Sequence, residues 1–142
     1  MKTNKEILSS ILKTTQIGQI GIRAVMDKAV HNDLKTALQS QLNEYDKIEQ
    51  EAHAIAAARG WEIKELDPAV KAMAKFYARS NLTFGFVDSK IAAMMIQGNT
   101  RGMIKGLKNQ NHAEDPDTQV LVLSQKLLDC ENDNISEMQG YV

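Results

Sequence analysis

Only two prolines interrupt this chain of 142 residues, and each stands directly behind an aspartate, as Asp67-Pro68 and Asp115-Pro116. An aspartate can cap a helix, and a proline in the first turn gives up an N–H that the helix would not use, so both pairs read as helix starts. Thr3 and Glu6 form a capping-box pattern ahead of Ile7, Leu8, Ile11 and Leu12, which predicts a first helix from about residue 4 to about residue 30. His31-Asn32-Asp33 offers a second cap. From there Leu34, Leu38, Leu42, Tyr45, Ala52, Ile55 and Ala56 hold one face until Arg59-Gly60, a basic last turn followed by a terminating glycine.

The third helix begins at Asp67-Pro68 and carries Met73, Phe76, Tyr77, Phe84, Val87, Ile91, Met94 and Met95 at helical spacing. It is expected to stop or kink near Gly98-Asn99. "TRGMIKGLKNQN" then reads as a short fifth helix weakened by two glycines. The last long helix starts at Asp115-Pro116 and ends on an apolar stripe of Leu127, Cys130, Ile135 and Met138. No alternation of apolar and polar residues competes for strand.

Four long amphipathic helices with short links predict an all-α protein, a single bundle domain over 1–142 with the short extra helix between helices three and four. The link from 60 to 66, seven extended residues, reaches at most about 25 Å, whereas helices of roughly 27 residues are about 40 Å long. A crossover running the whole length of the bundle is not expected on that ground. The expectation is therefore up-down-up-down connectivity, with the second and last helices diagonal.

The formal charge of -1 gives no electrostatic footprint for nucleic acid or an anionic membrane, so neither is expected as a partner. The N-terminal segment lacks the apolar block of a signal peptide, and no run reaches membrane-spanning length. With one cysteine, Cys130, and hence no internal disulfide, the reading is a cytoplasmic chain.

Chemistry enters through polar residues inside the apolar stripes. At roughly 100° per residue, Glu131 lies between Leu127 and Ile135, and Asn134 lies beside Leu127 and Met138. On the second helix Glu49 falls among Leu38, Leu42, Tyr45 and Ala56, with His53 one turn on at the edge of that face. Tyr77 falls at the same height, so Glu49, His53, Tyr77, Glu131 and Asn134 are expected to share one buried polar cluster. Gln19 and Thr83 would form a second, neutral layer.

Two helices that each offer a glutamate plus an imidazole or amide about a turn away resemble the ferritin-like superfamily, whose bundles hold paired metal ions between Glu-x-x-His motifs. "IAAMMIQGNTRGMIKGLKNQN" followed by "LLDCENDNISEM" resembles small bacterial ferritin-like proteins. The resemblance implies a ferritin-like bundle, with Glu49, His53 and Glu131 as ligands for iron or another divalent metal. The chain departs from the motif: the helix-two pair is spaced Glu49-x-x-x-His53, and Asn134 stands where a histidine belongs. Two glutamates and one histidine are few ligands for two divalent ions.

Three readings follow. In the first, a non-enzymatic ferritin-like bundle acts through assembly or partner binding, and its polar core, fixed by hydrogen bonds, is a degenerate metal site with no catalytic residue. In the second, the chain is a metal-binding or diiron-type oxidoreductase, or handles metal. In the third, it carries a small ligand in the interior around Tyr77 and the methionines. The first is preferred. His31 and His112 read as cap or loop residues, and Cys130 as a small core residue. Gly18 and Gly21 weaken the first helix, and a close helix approach is the natural compensation. Ile17, Ile20, Leu82 and Phe86 point away from the main stripes and suggest a homodimer contact.

Overall fold

The computed structural model describes residues 1–80, 82 and 85–142, and these described residues form five α-helices. They are α1 (Asn4–Val25), α2 (Asn32–Arg59), α3 (Pro68–Ser80), α4 (Val87–Asn111) and α5 (Thr118–Met138). A 3-10 turn, Met26–Lys28, follows α1, and another, Gln139–Tyr141, closes the chain. Among the described residues there is no strand, only an isolated bridge between Lys2 and Ala113. No helix among them is long and apolar enough to cross a membrane.

Several ends obey their local signals. The Thr3 side chain accepts the Glu6 N–H at the start of α1. Gly60 takes the left-handed conformation (φ 67°) that closes α2. Asp67 caps α3 by accepting the N–H of Ala69. The start of α5 is shifted, because Asp117 rather than Asp115 is the cap, accepting from Gln119 and Val120. Its carboxylate also receives Nε and Nη2 of Arg59 at 2.6 and 3.1 Å, which joins the end of α2 to the start of α5.

Helix direction follows from such contacts. Lys2 exchanges backbone hydrogen bonds with His112 and Glu114, and Asn4 bonds Asp115 and Asp117, so α1 begins where α4 ends and α5 begins. At the other end the Asp88 carboxylate accepts the N–H groups of Val30 and His31, so α4 starts beside the start of α2. Helices α2 and α4 are therefore parallel, and α1 and α5 run against them. The connection between α2 and α4 must cross the whole bundle. It descends along α1, where Ser9 and Gln16 accept the N–H groups of Lys64 and Leu66, and α3 completes the descent.

This corrects the expected up-down-up-down order. The 60–66 link does not cross alone, as its length dictates, but α3 finishes the crossing instead of serving as the third helix of the bundle. The expected helix from Pro68 to Gly98 is divided between α3 and α4. Thr83 and Phe84, expected within it, lie outside the described residues. Gly85 and Phe86 at the break both have positive φ (48° and 50°), and Phe86 is 87% exposed. The extra helix expected between helices three and four is the second half of α4. Helix α2 lies beside α5, not diagonal to it, with Lys126 bonded to Glu51 and Gln41 bonded to Glu137.

The core is a single apolar cluster to which Ile7, Ile22, Leu34, Leu38, Ile91 and Leu123 contribute, all at most 1% exposed. Burial of this kind is the main driving force for the fold. Helix α4 stays continuous through its glycines because two of them face α5. A Cβ on Gly106 would stand 2.9 Å from Leu128, and one on Gly102 would overlap the Glu131 carboxylate. The helix propensity lost at these glycines is offset by close packing.

Candidate functional site

The middle of the bundle holds a polar layer built by α2, α4 and α5. Tyr45 on α2 reaches across the core, 2% exposed, and its hydroxyl donates to Asn99 Oδ1 at 2.7 Å. The Asn134 amide on α5 donates to the same oxygen at 3.2 Å, and Asn99 donates back to the Met95 carbonyl. The Tyr45 ring lies flat against α1, where Gly18 leaves room for it: a Cβ there would come within 2.6 Å of the ring.

Glu131 sits beside this network but does not join it. It is 1% exposed, its Oε1 has no hydrogen-bond partner among the described residues, and its carboxyl occupies the space that Gly102 leaves open. Desolvation without a compensating charge pushes its pKa up to about 8, so it is neutral at pH 7. Its neighbour Cys130 is half-buried, and burial, followed by the nearby Glu131, pushes the thiol up to about 12. A thiol so far from ionisation is no nucleophile. Burial also raises the Tyr45 phenol well above its usual range.

The residues expected to form one cluster are divided among three places. Glu131 and Asn134 are inside, as their angular positions require, yet Asn134 bonds Asn99 and Cys130 instead of Glu131. Glu49 is half-buried between α1 and α2, where it accepts the Gln19 amide at 3.2 Å. Gln19 is thus the partner of Glu49. His53 faces outward, with Nε2 at 3.7 Å from Glu65 of the crossover link. Tyr77 stands outside the bundle on α3, 54% exposed, so no interior ligand pocket is built around it.

This arrangement does not suit a metal centre. Among the described residues no group of three or more His, Cys, Asp and Glu side chains is placed to hold an ion. Glu49 and His53 each have other partners, and Glu131 is a neutral acid alone in an apolar setting. A cleft of about 490 Å³ lies instead on the outer seam of α2 and α5, with Gln41, Cys130 and Asn134 along its floor and Glu44, Asp133 and Glu137 on its walls.

Sequence reasoning missed Tyr45 and Asn99 as partners of this layer. Asn99 was detectable, since it follows Ile91, Ala92 and Met95 on one helical face, but its place after Gly98 reads equally as a stop signal.

A second feature stands on the outside. Helix α3 docks by Lys71, Ala74 and Ala78, while Val70, Met73, Phe76 and Tyr77 are 43%, 72%, 76% and 54% exposed. At roughly 100° per residue these four fall within an arc of about 120° turned away from the bundle. Arg79 borders that arc, about 60° from Phe76, Lys71 and Lys75 lie on the other side of the helix, and no acidic residue occurs between Asp67 and Asp88. Of the residues expected at a dimer contact, Ile17 and Phe86 are exposed, and Ile20 and Leu82 are half-buried. Against family models, curated proteins and solved structures, the chain finds no match.

Proposed function

We propose that this chain is a non-enzymatic helical bundle of ferritin-like kind, with a degenerate core, that acts by docking a partner on the outer face of α3. The observation that carries the reading is the placement of Met73 and Phe76, large apolar side chains left to solvent on the connection that crosses the bundle. Contiguous apolar surface of this sort marks binding sites in monomeric proteins. The ferritin-like part draws support from the single long crossover between two parallel helices, a connectivity of ferritin-like bundles. The non-enzymatic part rests on the interior, where burial favours the neutral form of Glu131 and no metal-ligand set is assembled among the described residues.

Two measurements test this. The double variant Met73→Ser, Phe76→Ser is expected to keep the stability of the parent within about 0.5 kcal/mol per residue, as for surface positions. A loss of several kcal/mol in urea melts would place these side chains in a core or an obligate interface and end the docking reading. Protein purified without chelator and then titrated with Fe(II) is expected to retain no stoichiometric metal after desalting. Retention that disappears in both Glu49→Ala and Glu131→Ala would favour the metal-binding alternative.

A further inference from the structure

The docking face belongs to a larger segregation of charge. Helix α3 carries three cations and no acid, and α4 carries Lys90, Arg101, Lys105 and Lys108 against Asp88 alone. Helix α1, between them in the fold, adds Lys5, Lys13 and Arg23 against Glu6. The compensating acids are on the opposite side: α5 holds Asp129, Asp133 and Glu137 against Lys126, and α2 has an acidic excess as well. A whole-chain charge of -1 therefore hides a basic excess on α1, α3 and α4, which Glu62, Glu65 and Asp67 of the link along α1 reduce without cancelling. On that side burial, followed by the charges of Lys13 and Lys2, lowers the Lys105 pKa. None of Lys71, Lys75 and Arg79 has an ion-pair partner among the described residues.

The basic side is also where apolar side chains protrude. Beyond the α3 face, Ile104 on α4 is 50% exposed and Ile17 on α1 is 45% exposed. Charge decides among occupants for such a surface. A second copy packed face to face would set cation against cation, which is unfavourable. Nucleic acid would neutralise the cations but would leave Met73 and Phe76 without an apolar environment. An anionic bilayer satisfies both, because aromatic and thioether side chains enter the acyl boundary while lysine and arginine meet phosphate headgroups.

We infer that the side formed by α3 with α1 and α4 binds anionic lipid surfaces, α3 lying in the interface with Met73 and Phe76 inserted and Arg79 at headgroup level. This inference rests on the docking reading above and names its partner. The binding is peripheral, electrostatically assisted and weakened by salt.

The test is co-sedimentation of the full chain with vesicles of phosphatidylcholine, with and without phosphatidylglycerol. Binding is expected only with the anionic lipid, and it should weaken as salt is raised. Each cation near the surface contributes roughly fivefold to the partition coefficient, so Arg79→Glu, which removes a cation and adds an anion, should lower it by more than about tenfold. Met73→Ser with Phe76→Ser should abolish insertion while circular dichroism shows an unchanged fold. Equal binding to both vesicles, none to either, or binding unaffected by these variants would overturn the inference, as would displacement from vesicles by DNA at equal phosphate. A monomer that binds neither vesicle but keeps Met73 and Phe76 reactive to oxidation overturns the lipid partner and leaves the docking reading standing. Protection of both residues by self-association in the absence of lipid overturns the two together.

Discussion

Replacing Glu131 by glutamine is expected to flatten the dependence of stability on pH between about 4.5 and 8, the largest single change foreseen for this molecule. The folded carboxyl has its pKa raised to about 8 from its ordinary value of 4.5. The native state therefore holds a proton that the unfolded chain releases across this window. Where the unfolded state binds fewer protons, stability falls as pH rises. The loss begins near pH 4.5 and is complete above 8, a total on the order of 3 to 5 kcal/mol for a shift of this size. A glutamine cannot ionise, so the variant should match the parent or fall slightly below it at pH 5, where the parent carboxyl is already neutral. Above pH 8 it should exceed the parent by a few kcal/mol. Urea melts over a pH series read both limbs, and a slope unchanged in Glu131→Gln would show that this carboxyl is hydrated or paired. Asp117 and Asp88 act in the opposite sense. The Arg59 hydrogen bond holds Asp117 below the usual carboxylate range. For Asp88 partial desolvation is outweighed by the N–H groups of Val30 and His31 and by the His31 side chain. What these two contribute is lost only as the pH falls below their ordinary range.

Gly18→Ala and Gly21→Ala, three residues apart on one helix, should change stability in opposite directions. Alanine is better than glycine in a helix by about 1 kcal/mol, and Gly21 has nothing within 4 Å of where a Cβ would stand, so its substitution should stabilise. At Gly18 the methyl would lie 2.6 and 2.7 Å from Cε2 and Cζ of Tyr45. The ring cannot swing aside, because its hydroxyl is tied to Asn99 and its faces are buried. Helices α1 and α2 would have to separate, and overpacking of this kind costs about 1 to 3 kcal/mol beyond the propensity gained. Thermal melts of the two variants, with Gly18→Ala repeated in a Tyr45→Leu background, measure the coupling. A stabilising Gly18→Ala in the parent would refute the contact.

The sequence made some of this architecture legible and not the rest, for physical reasons. The starts of α1 and α3 and the end of α2 were readable because a cap or a left-handed glycine is a local device acting through neighbouring residues. The break between α3 and α4 was not, since apolar spacing continues from Tyr77 to Ile91 with no proline to interrupt it. That one error put Tyr77 inside the bundle and reversed the direction of the third helix. Pro116 sits between two aspartates, and only the folded contact with Arg59 selects Asp117 as the cap. Glu131 and Asn134 were placed correctly, because the angular position of a residue on its helix is set by sequence. Their partners were not, because Tyr45, Asn99 and Gly102 meet them through the relative register of three helices. The exposed face of α3 escaped notice because amphipathic spacing says which side of a helix is apolar but not which side is covered.

The account turns on an interior that is shut and an outer face that is open, and hydroxyl-radical footprinting of the monomer reads both at once. Met73, Phe76 and Phe86 should be oxidised at rates near those of the unfolded chain, while Tyr45 and Met138 stay protected. Met73 and Phe76 as slow to react as Met138, or a readily oxidised Tyr45, would contradict it.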